Sequence, residues 1–115
     1  MKALICGGRT YSNKVRMNAV LGSLLRRRGL TMIIEGGQFG ADELARTWGL
    51  ENRVPVVTVL ADWLGLGKAA GPMRNRKMLR DYKPDLVVAF PGGRGTANML
   101  KQANAAGIEI MEINP

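Results

Sequence analysis

The sequence contains no histidine. That absence excludes histidine triads, histidine general bases and imidazole metal ligands. Cysteine occurs once, as Cys6, so there is no internal disulfide framework and no way to assemble a tetrahedral zinc site. Neither a metal nor a cofactor is expected. Aromatic residues make up only 5%, a thin supply for a base-stacking platform. No apolar run approaches the roughly 20 residues of a membrane span, so no membrane partner is expected. The N-terminus runs straight into a strand-like segment without a cleavage pattern. With the single cysteine, this points to the cytoplasm. Acidic residues are scarce as well: 9 Asp and Glu stand against 17 Lys and Arg, a formal charge of +8. A balance of this sign favours anionic partners without naming one.

Glycine is what the chain has in excess, 15 in 115 residues, clustered rather than scattered. The length suits a single domain, residues 1–115, with a modest core that a homodimer would help to bury. Short apolar runs alternate with longer amphipathic stretches. Ala3 to Cys6 reads as a strand ended by Gly7-Gly8. Residues 13–28 read as a helix, with Asn13 to cap its start and Gly29 its end. Arg26, Arg27 and Arg28 fall in its last turn, where cations suit the helix dipole. Thr31 to Ile34 is a second strand, ended by Gly36-Gly37, and a helix follows over 41–51. Pro55 to Val59 is a third strand. Residues 60–71 read as a long connection, and Pro72 sits in the first turn of a helix reaching about Tyr82. Leu86 to Phe90 is a fourth strand, followed by a glycine turn, a helix over 96–106 and a last strand over 108–113.

This alternation predicts an α/β fold, a Rossmann-like three-layer sandwich. Its five-stranded parallel sheet has the expected order 3-2-1-4-5, with helices on both faces. Ligands of such sheets bind beyond the carboxyl ends of the strands, where the order reverses. The clusters Gly7-Gly8, Gly36-Gly37 with Gly40, and Gly92-Gly93 with Gly95 all fall at those ends. Phosphate needs backbone N–H groups close to the chain, which side chains would block. A following helix adds unpaired amides and its positive dipole end. Thr96 has the position of a helix cap after this last turn. Any one glycine pair is explained as a tight strand-to-helix turn; three at one edge favour an anion site.

Two familiar loops are excluded. Gly67-Lys68-Ala69 lacks the hydroxyl residue after the lysine, and position 62 is Asp, so no Walker A loop is present. Gly93-Arg94-Gly95-Thr96-Ala97-Asn98 lacks the third glycine of a dinucleotide fingerprint.

Several motifs occur together in one order. They are Gly7-Gly8-Arg9, the stretch from Gly36 to Asp42, Ala61-Asp62-Trp63, Ala70 to Asn75, and Pro91 to Met99. This set resembles the YspA-like, cpYpsA-related branch of the SLOG superfamily over nearly the whole chain. The resemblance implies a Rossmann-like fold and a nucleotide-type ligand. It extends distantly to the lonely-guy phosphoribohydrolases, whose Pro-Gly-Gly-x-Gly-Thr-x-x-Glu motif ends here in Met99. Their upstream arginine is matched by Arg74, four residues before Met78. The phosphate cradle is therefore expected without the carboxylate that would stabilise an oxocarbenium-like centre.

The candidate ligand-binding residues are Gly7, Gly8, Arg9, Gly36, Gly37, Asp42, Arg74, Asn75, Gly92, Gly93, Arg94, Gly95 and Thr96. Asp42 is also the candidate catalytic residue, although a helix-start role toward backbone amides is the commoner use of such an aspartate. Arg74, Asn75 and Arg9 are the better ligand candidates, since arginine matches phosphate bidentately; the alternative for Arg9 and Arg74 is a solvated or ion-paired surface group. Arg94 either covers the phosphate or points outward. Trp63 either stacks on a base or packs the connection against the sheet. Glu35 faces the crevice or solvent. Cys6 reads as a small buried residue. Three functions compete: a nucleotide-binding or sensing module, a nucleotide phosphoribohydrolase using another carboxylate, and a nucleic-acid binder.

Overall fold

The computed structural model describes residues 1–115. Five strands form one sheet: β1 (Lys2–Cys6), β2 (Met32–Glu35), β3 (Val56–Thr58), β4 (Leu86–Ala89) and β5 (Glu109–Glu112). All neighbours are parallel and the order is β3-β2-β1-β4-β5, as the alternating pattern predicts. The register sets Leu4 beside Ile34 and Val87, at the centre of the sheet.

Both sheet faces are covered, which is why β1 from Ala3 onward and all of β4 are apolar without a break. Side chains alternate along each strand. Ala3, Ile5, Ile33, Leu86 and Val88 face α1 (Lys14–Arg28) and α2 (Ala41–Glu51), packing against Met17, Leu21, Leu24, Ala45 and Trp48. Leu4, Cys6, Ile34, Val87 and Ala89 face the other way. They pack against Met78 of α4 (Ala70–Tyr82) and against Met99 and Ala103 of α5 (Arg94–Ala105). Full burial of each large aliphatic side chain contributes about 1.5–3 kcal/mol, so these two clusters carry the fold.

Helix α1 is bounded by the residues the sequence assigns to it. The Asn13 side chain accepts the Arg16 N–H at 2.9 Å, and Gly29 takes the left-handed conformation at φ 64°. Two expectations are corrected. The connection over 60–71 is not irregular throughout: it contains the short helix α3 (Trp63–Leu66), capped by Asp62 on the Gly65 N–H, and a 3₁₀ turn over Gly67–Ala69 that runs into α4. The last helix begins at Arg94, with Gly93 in the capping position. Thr96 is therefore its third residue and caps nothing.

Candidate functional site

The order reversal between β1 and β4 opens a cleft of about 470 Å³ at the carboxyl ends of β1, β2 and β4. Three glycine-bearing loops meet there. The Gly8 N–H donates to Pro91 O at 2.8 Å, and the Ala41 N–H donates to Gly8 O at 3.1 Å. Several glycines are required by this closeness alone. A Cβ on Gly7 would lie 2.6 Å from the Ala41 Cβ and 2.9 Å from the Phe90 Cβ, and one on Gly92 would meet Gly8 N at 2.7 Å. Gly40 has φ 75° and ψ −125°, a conformation open essentially to glycine only, and its missing side chain lets Gly8 and Arg9 pass.

Gly93 and Gly95 differ from all of these. Neither has a positive φ, and a Cβ on either would meet nothing within 4 Å. Both line the cleft at the start of α5. No side chain caps that helix, and its first hydrogen bond runs from the Ala97 N–H to Gly93 O at 3.0 Å. The amides of Arg94, Gly95 and Thr96 are thus left without partners in the chain, at the positive end of a twelve-residue helix.

The Gly36–Gln38 loop behaves in the opposite way. Its amides are already taken by carboxylates of the chain. Asp42 Oδ2 accepts from the Gly36 N–H at 3.2 Å and the Gln38 N–H at 3.3 Å, while Glu35 Oε1 accepts from the Gly37 N–H at 2.7 Å. These donors are not open to a phosphate, contrary to the even-handed expectation for all the glycine clusters. Gly37, at φ 73°, turns toward Thr58 and Leu60 and lies outside the cleft, and Gly92, exposed on a neighbouring cavity, is not part of the cleft wall either. Glu35 faces neither the crevice nor solvent. It is wholly buried, held by the Thr58 hydroxyl and by Arg46 Nη1 at 3.0 Å. No sequence pattern announces this network, because its partners come from β3 and α2.

The remaining candidates converge on the cleft: Gly7, Gly8, Arg9, Gly36, Asp42, Arg74, Asn75, Gly93, Arg94, Gly95 and Thr96 line it. Gln38, Gly71 and Met78 line it too, outside the set of candidate ligand-binding residues. Gly71 lies under the Trp63 ring, where a Cβ would come within 3.2 Å of the ring edge. Trp63 forms part of the wall, with the Arg9 guanidinium 5.6 Å from its ring centroid, a cation–π arrangement.

Asn75 is buried, and the chain uses its carboxamide fully. Its Oδ1 accepts the Arg74 Nε–H at 3.0 Å; its Nδ2 donates to Gly95 O at 3.3 Å and to Asn98 Oδ1 at 3.1 Å. Arg74 also donates from Nη1 to Gly36 O at 2.7 Å. Burial lowers the Arg74 pKa below its ordinary value, against the pull of Asp42 and Glu35. Asp42 is 6% exposed, and burial pushes its carboxyl up to about 6, with Glu35 adding to the rise and the Gln38 amide and Arg74 opposing it. Burial, aided by Asp42, holds the Cys6 thiol at about 12, so it stays protonated and is no nucleophile. Met99, at the position of the missing glutamate, is 1% exposed and packs with Cys6 and Met78 in the apolar cluster.

Together these features define a Rossmann-like α/β domain with a cationic, glycine-lined cleft at its switch point. Residues 1–65 match the YspA, cpYpsA-related SLOG family. A relative, the Gene 61 protein of Mycobacterium phage D29, is 34% identical over 119 residues, covering 96% of this chain and 94% of the relative. The chain belongs to this SLOG family. DNA processing protein A (DprA) from Streptococcus pneumoniae shares the fold at a TM-score of 0.80 and 20% identity, over 99% of this chain. The chain spans half the length of that protein. No helix is long and apolar enough to cross a membrane.

Proposed function

We propose that the cleft binds a nucleotide or nucleotide derivative, its phosphate seated against the first turn of α5. The observation that carries this reading is Gly95. In a helix glycine is less favourable than alanine by about 1 kcal/mol, and here neither φ nor packing asks for it. Its missing side chain keeps the cleft wall open at the helix start that carries three unpartnered amides. Those amides and Arg94 supply the donors and positive field that a phosphate needs. The protein acts on this reading as a binding or sensing module, since Met99 is packed in the core and contributes no carboxylate to the cleft.

Thermal shift and calorimetry with nucleoside monophosphates, ADP-ribose and cyclic nucleotides provide the test. A ligand at a hundred times its Kd should add about 2.7 kcal/mol of stability. A Gly95→Ala chain should lose that response while remaining folded. Absence of stabilisation by every one of these ligands at near-millimolar concentration would dispose of the reading.

The charge of +8 and the fold shared with a DNA processing protein favour nucleic acid as a second reading. Exposed Arg9 and Arg94 at the cleft would then meet backbone phosphates. Binding of this kind falls steeply with salt, and a flat salt response of any DNA or RNA complex would exclude it.

A further inference from the structure

The Asp42 carboxylate has one oxygen to spare. Both of its hydrogen bonds end on Oδ2, yet no buried side-chain oxygen or nitrogen in the protein lacks a partner. Oδ1 is therefore the atom through which this residue reaches the cleft it lines. The same holds for Arg74. Its Nε and Nη1 are committed to Asn75 and Gly36, and Nη2 has no partner in the chain. The two groups flank Gly36: a Cβ there would lie 2.6 Å from the Arg74 guanidinium carbon and 3.1 Å from Asp42 Oδ2. They do not form a salt bridge with each other. The cleft is thus lined by two residues flanking Gly36, one with an acceptor and one with a donor that the chain leaves unpaired, each held in place by its other polar atoms.

Few ligand groups satisfy such a pair. A phosphate beside Asp42 brings like charge and no proton to donate. A hydroxyl does both jobs at once, donating to the carboxylate and accepting from the guanidinium. Two adjacent hydroxyls fill the pair completely. Position then separates sugar from base. The Asn75 carboxamide links Arg74 to Gly95, which brings the guanidinium next to the α5 first turn. In a nucleotide, the group next to the phosphate is the ribose. The Trp63 ring offers a separate aromatic wall for the base.

Resting on the nucleotide reading above, we infer that Asp42 Oδ1 and Arg74 Nη2 bind the ribose 2′,3′-diol, making the site selective for ribonucleotides over their deoxy counterparts. Leaving either group facing an apolar hydrogen once the ligand covers it wastes a hydrogen-bonding partner, which is how sites of this type reject analogues.

The test is calorimetry on the full chain with AMP, 2′,3′-dideoxy-AMP and inorganic phosphate, repeated with the guanine and cytosine nucleotides. AMP should bind the wild-type chain at least roughly tenfold more tightly than dideoxy-AMP, whatever the base. Asp42→Asn keeps an oxygen for the Gly36 and Gln38 amides and should reduce that preference to about threefold or less. Equal affinity of ribo and dideoxy forms in the wild type overturns the diol assignment while leaving the nucleotide reading in place. A preference that follows the base instead of the sugar overturns it too. If neither nucleotides nor phosphate bind, both readings fall.

Discussion

Asn75 accepts the Arg74 Nε–H at 3.0 Å and donates to Gly95 O on the neighbouring helix, so the guanidinium and the α5 first turn are held as one unit. Arg74 is pinned at its other end by Gly36 O. The residue that sequence reasoning placed against the ligand is therefore one whose polar atoms are already spent on positioning.

Replacing it tests this division of labour. Asn75→Ala frees Arg74 and the first turn of α5 and leaves Asn98 Oδ1 with Gln102 as its donor. Loss of a buried hydrogen-bonded side chain should cost about 1–3 kcal/mol. Nucleotide affinity, measured by calorimetry, should drop more than tenfold although no ligand contact has been deleted. An unchanged affinity would return Asn75 to a purely structural role.

Asp42 carries a pH signature with a definite sign. Its folded pKa is raised, from 3.8 to about 6, chiefly by burial. The folded state therefore binds more protons than the unfolded one across that interval, and rising pH removes stability there instead of adding it. The charge faces Glu35 and Arg74 and is partly offset by the Gly36 and Gln38 amides. Its full cost above the interval is about 3 kcal/mol. Asp42→Asn should therefore raise the melting temperature at pH 7.5. The gap to the wild type should widen from pH 4 to pH 7 and stay flat beyond, as read by thermal denaturation.

Gly40 and Gly95 should respond in opposite directions to the same substitution. Gly40→Ala forces a side chain into the Gly8 and Arg9 backbone at a φ of 75° and should destabilise by about 3 kcal/mol or more. Gly95→Ala meets nothing and should stabilise by about 0.5–1 kcal/mol while abolishing nucleotide binding. Denaturant titration of both variants, with and without ligand, separates a glycine needed by the fold from one needed by the site.

Glu35 should prove structural. Glu35→Ala strands the Gly37 N–H and the Thr58 hydroxyl and removes the partner of Arg46. Breaking a buried pair of this kind should cost about 3 kcal/mol, measured by urea unfolding. Glu35→Gln, which keeps two hydrogen-bonding atoms, should cost clearly less.

Much of the fold is written in local pattern. Apolar runs at Ala3 to Cys6 and Leu86 to Ala89, each followed within three residues by glycine, mark buried parallel strands because both faces must be dry. The α1 caps are legible for the same reason: Asn13 and Gly29 satisfy backbone demands set by their immediate neighbours. Even the cleft's location follows, since strand order dictates where the loops meet. Hydrogen-bond partnership does not follow, because it is decided between segments far apart in the chain. From sequence, Gly36, Gly40 and Gly95 look alike, as do Glu35 and Asp42. Only the packed chain shows that two carboxylates already occupy the Gly36–Gln38 amides, that Gly40 makes room for backbone, and that Gly95 makes room for nothing in the protein.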